Sequence, residues 1–204
     1  MSRQKRIKII DLLDQGTVGS TVTVMGWVRT KRESKNVVFV ALNDGSTLRN
    51  IQIVLDAQAA DEALLAKIST GASLSVVGTL VASQGVGQST EVQAQQVTVL
   101  GEADPEKFPL QPKKHSLEFL REIGHLRPRT NTFGAILRVR HQMIFAVHQF
   151  FHSKGFVNIH TPIITASDAE GAGETFHVTT LDLNKVPRTA EGQVDYKEDF
   201  FERE

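Results

Sequence analysis

The chain has no cysteine at all. That excludes disulfides and thiolate metal sites, and it fits a reducing compartment. Also missing is any apolar run near the roughly 18–20 residues that span a bilayer, and the opening MSRQKRIKII has no secretory core. The expectation is a cytoplasmic protein with no membrane partner. Net charge is zero as well, but here the zero conceals a pattern. Residues 1–35 sum to +5, 36–104 to −5, 105–141 to +5 and 168–204 to −6. Two basic blocks flanking neutral-to-acidic stretches suggest a polyanion touched at two places, although solvated surface charge gives the same pattern.

What is present reads first as small strands. After a short helix over 9–15, closed by Gly16, hydrophobicity takes a period of two. Residues 21–30 alternate Val22, Val24, Gly26 and Val28 with polar neighbours. NVVFVAL (36–42), NIQIVLD (50–56), 73–83 and 91–100 follow as four more strands. A helix over 61–69, capped by Asp61, lies between the third and fourth. Five strands with that one helix give the order of an OB-fold, a Greek-key barrel that binds oligonucleotides on its second and third strands. A generic small barrel predicts the same strands. Gly26 fits the bend such a barrel needs, and Trp27, the one tryptophan, is expected to pack within it.

Arg29, Lys31, Arg32 and Lys35 cluster between the first two strands. Phe39 alternates with Val38 and Val40, so it faces the opposite way from both. Facing out beside those cations, it offers a stacking surface for a single-stranded base; facing in, it is core. Gln52, between Ile51 and Ile53, can donate to and accept from a base edge. GVGQST (85–90) lacks the lysine and helix start of a P-loop and is expected to be a hairpin loop.

Prolines 105, 109 and 112 mark a linker, followed by a short helix over 116–123 and HLRPRT. Residues 133–154 keep a 3.6-residue apolar stripe that ends at Gly155, as an interface helix does. His148 and His152 have metal spacing but no evident third ligand. Beyond them the pattern predicts a short strand over 156–160 that stops at Pro162, then the loop DAEGAGE (168–174), then another strand from Phe176. That loop is either a mobile surface segment or a substrate loop offering a carboxylate to a cation.

Taken together, the barrel with Phe39 and Gln52, the proline-rich hinge, HLRPRTNTFGAILRVRH, GFVNIHTPIITASDAEGAGETF and VTTLDL closely resemble the N-terminal portion of the bacterial asparaginyl-tRNA synthetases. These are class II enzymes grouped with the aspartyl and lysyl synthetases. The resemblance implies an all-β OB-fold barrel over 1–102, a hinge over 103–130, and the truncated start of an α+β catalytic domain over 131–204. It implies that Phe39 stacks on the central anticodon uridine, with Arg32 and Gln52 reading edges and backbone and Arg29 and Lys31 beside them. It implies that 151–162, with Gly155 and Pro162, forms the homodimer motif, and that Glu170 accepts the α-ammonium of L-asparagine. The implied reaction uses ATP and Mg²⁺ to form asparaginyl-adenylate and then charges tRNA(Asn), with no DNA partner and no metal site in this stretch. The family's second and third motifs are not in the sequence, so no catalytic residue is expected here and the chain is expected to be inactive alone. A free-standing nucleic-acid-binding module and an aspartyl enzyme of relaxed specificity are the alternatives.

Overall fold

A computed structural model describes residues 5–85, 87–165 and 176–202. They fall into two compact units, Met1–Val147 and His148–Glu204.

The first unit is built on a closed barrel. Strands β1 (Thr21–Glu33), β2 (Val37–Asn43), β3 (Ile51–Asp56), β4 (Ser73–Ala82) and β5 (Thr90–Gly101) close in the order β1-β2-β3-β5-β4. Pairing is antiparallel except between β3 and β5. Alternation decides the two faces: Val24, Val28, Val38, Val40, Leu42, Ile51, Ile53, Leu74, Val76, Leu80 and Val92 fill the interior at 0–1% exposure. Each such side chain contributes about 1.5–3 kcal/mol by leaving water. Closure needs sharp local geometry. A bulge interrupts the β1–β2 register between Val28 and Thr30, and Gly26 passes so close to β2 that a Cβ there would lie 2.6 Å from the Asn43 carbonyl oxygen.

Helix α1 (Ile9–Gln15) plugs one end with Ile9 and Leu12, both buried. Its N-cap, Lys8, offers no side-chain acceptor. The turn after β2 supplies one instead: Asp44 Oδ2 accepts from the Ile9 amide at 3.0 Å and Ser46 Oγ from the Ile10 amide at 3.1 Å. Two of the helix's orphan donors are satisfied in this way. Burial works to raise the Asp44 carboxyl, but hydrogen bonds from the Ser46 side chain and amide and the Ile9 amide, with the charge of Arg6, outweigh it and hold its pKa below the usual value. Helix α2 (Glu62–Lys67) is capped by Asp61, which accepts from Ala63 N.

After the barrel come α3 (Leu117–Glu122), capped by Ser116, and a 3₁₀ turn, Arg127–Arg129. The long helix α4 spans Asn131–Ser153. Its first turn is buried at Phe133 and Gly134, and a Cβ on Gly134 would lie 3.0 Å from Leu48. At its other end Gly155 has φ +85°. The Gly155 amide bonds His152 O and the Phe156 amide bonds Phe151 O, a Schellman closure accompanied by a Phe151–Phe156 ring contact at 5.5 Å.

Three expectations are corrected. Trp27 does not pack within the barrel; it is 36% exposed on the outside, under the guanidinium of Arg129 at 4.2 Å. Residues 156–160 and those from 176 onward form no strand. A strand needs a partner for its N–H and C=O groups, and none runs beside either segment among the described residues; Val157 and Phe176 are 81% and 98% exposed. The second unit is instead organised by Asp199, which accepts from the Thr179 hydroxyl and from Thr180 N and Oγ1. The Thr179 bond is the largest influence holding its carboxyl below the ordinary value.

Candidate nucleic-acid interface

On β2 the side chains of Val38, Val40 and Leu42 are buried, and Phe39, between the first two, is half-buried on the outer face. Register fixes what lies beside it. Across β1 its partner is Arg32, and across β3 it is Val54. Directly opposed residues share a face, so Arg32, Phe39 and Val54 form one outward row. The next row along places Ala41 opposite Gln52 and Gln52 opposite Glu91. Arg32 is exposed and has no ion pair among the described residues. The barrel therefore displays a cation, an aromatic ring and an amide on one surface.

The amide is held in place. Gln52 Nε2 donates to Glu91 Oε2 at 3.1 Å, and Ser83 Oγ and Gln88 Nε2 donate to the same oxygen at 2.9 and 3.1 Å. With its N–H₂ bonded to Glu91, Gln52 keeps its carbonyl oxygen as an acceptor. Sequence reasoning missed Glu91, because the parallel β3–β5 pairing that brings it beside Gln52 is a tertiary event with no local signature.

The basic cluster does not lie on one face. Lys31 opposes the buried Val40 and so belongs to the other face of β1. Its ammonium donates to Leu65 O at 2.6 Å and pairs with Glu33 at 2.6 Å, a helix-terminal role at α2 rather than a place beside Phe39. Arg29 sits in the β1 bulge, which turns its side chain away from the row. It donates to Asn131 Oδ1 at 3.2 Å at the start of α4. Arg138 closes the same seam by donating to Gly45 O at 2.7 Å. Beside Trp27 and Arg29 lies a pocket of about 610 Å³ between the barrel and residues 108–132.

In the second unit, Pro162 is exposed and Gly155 caps α4. Glu170 lies outside the described residues. His148 Nδ1 is 3.0 Å from Asn158 Nδ2, and among the described residues no three imidazoles or carboxylates converge as a metal site. No helix of those residues is long and apolar enough to cross a membrane.

Two family profiles match the chain. Residues 22–100 match the OB-fold nucleic acid binding domain and residues 116–187 the class II tRNA synthetases for D, K and N. The asparagine–tRNA ligase of Porphyromonas gingivalis is 59% identical over 201 residues, 98% of this chain and 43% of that protein. The one from Cytophaga hutchinsonii is 60% identical over 199 residues, again 43% of the relative. Over nearly its whole length the chain is similar to these asparagine–tRNA ligases. It spans less than half the length of these asparaginyl relatives. Its fold is that of the asparaginyl-tRNA synthetase of Pyrococcus horikoshii, solved with asparaginyl-adenylate, at TM-score 0.73 and 22% identity over 89% of this chain and 41% of that one. The Entamoeba histolytica asparaginyl-tRNA synthetase shares it at TM-score 0.65, over 76% of this chain and 38% of that one.

Proposed function

We propose that residues 1–102 form the anticodon-recognition barrel of an asparagine–tRNA ligase, joined by a hinge over 103–130 to the start of its catalytic domain at 131–204. The observation that carries this is the outward row of Arg32 and Phe39 with Gln52 beside it. A base stacked on a ring displayed on the outside of a barrel gains about 1–3 kcal/mol. Arg32 supplies charge for the adjoining phosphate. The Gln52 carbonyl accepts from a base edge, with Glu91 holding the amide in register. The base that stacks is the central anticodon uridine of tRNA(Asn).

The whole protein's reaction is the ATP-dependent joining of L-asparagine to that tRNA through asparaginyl-adenylate, with Glu170 taking the substrate's α-ammonium. Magnesium belongs to the family's chemistry, but no group of described residues fits it, and none is assigned to it. Residues 151–162, from the last turn of α4 onward, carry the homodimer motif. Met143, Phe145, Phe150 and Phe151 leave apolar surface 48–62% exposed along the helix, the kind of face an interface covers. The match of 116–187 to a synthetase domain counts against a free-standing barrel.

The test is a binding comparison on this chain between tRNA with the asparagine anticodon and the same tRNA with its central base changed. Weaker binding of the changed tRNA is expected; equal affinity refutes the assignment.

A further inference from the structure

The pocket beside Trp27 has a basic lining. Arg29, Arg129, Lys113 and Lys114 line it, with His115, and no aspartate or glutamate does. Trp27, Phe108 and Leu110 form its apolar wall. Lys113 and Lys114 are exposed at the mouth, while the two arginines are half-buried. Neither arginine has an ion pair among the described residues; Arg29 meets only the neutral Asn131 and Arg129 the Trp27 ring. Burial lowers the pKa of both guanidiniums. Cations taken from water without a counter-charge are costly, and an anion entering beside them offsets that cost. The planar guanidinium fork matches phosphate oxygens in particular. A ring-lined wall next to those cations suits the ribose or base that accompanies a phosphate.

We propose that this pocket binds the phosphate group of a nucleotide, through Arg29 and Arg129 inside and Lys113 and Lys114 at the mouth. The proposal rests on the reading of the barrel as a tRNA-binding module, and it gives Arg29 a different partner from Arg32. Arg29 and Arg32 are three residues apart on β1, about 10 Å along a strand, a separation within the reach of one polynucleotide that follows the turn at the bulge. The phosphate comes either from the tRNA backbone or from a free nucleotide.

The experiment uses this chain, with Arg29→Gln/Arg129→Gln and Lys113→Gln/Lys114→Gln variants and thermal melting as a control of folding. Binding of both tRNAs, with the asparagine anticodon and with the changed central base, is measured over a salt series. In parallel, fluorescence of Trp27, the one tryptophan, is followed during titration with AMP and with inorganic phosphate at constant ionic strength. For a backbone phosphate, each double variant binds both tRNAs about tenfold more weakly, and its salt slope falls by about 1. The wild-type ratio between the two tRNAs is kept. For a free nucleotide, Trp27 fluorescence titrates with AMP or phosphate and the response is lost in the variants. If the arginine variant does not fold, the lysine variant decides, because its positions are exposed. Unchanged slope and affinity together with silent Trp27 fluorescence overturn the pocket. A lost preference between the tRNAs with a reduced slope in the variants overturns the anticodon reading and leaves the pocket standing.

Discussion

Replacing Phe39 with alanine separates a ring that binds from a ring that packs. A phenylalanine inside a barrel costs about 3–5 kcal/mol of stability when truncated. Phe39 is absent from the buried core, and its register partners are Arg32 and Val54; a cross-strand pair of this kind is worth about 0.2–1 kcal/mol. The folding cost is therefore about 1 kcal/mol or less. If the ring stacks on a base, the binding cost is about 1–3 kcal/mol, or 5- to 150-fold in Kd. Fluorescence anisotropy with labelled tRNA gives the second quantity and urea unfolding the first. Phe39→Tyr retains the stacking face and is expected to stay close to wild type in both. A variant that loses 3–5 kcal/mol of stability while its properly folded fraction binds normally refutes the reasoning.

Other consequences of the geometry are as direct. Arg32→Gln lowers the salt slope of tRNA binding by about 1, whereas Lys31→Gln leaves the slope alone and costs about 1 kcal/mol of stability; anisotropy and urea titrations distinguish them. Asp44→Ala removes the remote cap of α1 and costs about 2 kcal/mol. Because the folded pKa of Asp44 lies below its unfolded value near 3.8, its contribution is present above that pH and is lost as pH falls through the folded value. Unfolding measured from pH 6 down to pH 2.5 shows this loss in the wild type and not in the variant. Gly78→Ala places a Cβ 2.2 Å from the Gln93 carbonyl oxygen and destabilises the barrel by about 1–3 kcal/mol in the same assay.

The barrel was legible in the sequence because its information is local. Alternating valines, Asp61 as a cap and Gly155 after the last apolar turn each carry their own signal, and each element formed within a few residues of its expected bounds. Phe39 could be placed opposite Val38 and Val40 by alternation, but which of the two faces lined the interior depended on the whole closed sheet. The basic cluster was the harder case. Arg29, Lys31 and Arg32 are neighbours in sequence, yet a bulge at Val28–Thr30 and simple alternation point them three ways. No residue near position 29 announces that bulge. The outward place of Trp27 has no local signal for a related reason: its partner, Arg129, is about a hundred residues away. The expected strand over 156–160 failed because β-pattern alone does not supply a neighbouring strand.

On the proposed reading, the outward ring of Phe39 meets the middle base of the anticodon. A tRNA(Asn) carrying 5-iodouridine at that single position, irradiated in complex with this chain and mapped by mass spectrometry, tests it at one residue. A crosslink on the β2 peptide, at Phe39, is expected. A crosslink of comparable yield that maps instead to the Trp27 pocket, or elsewhere off the outer face of β1–β3, contradicts it.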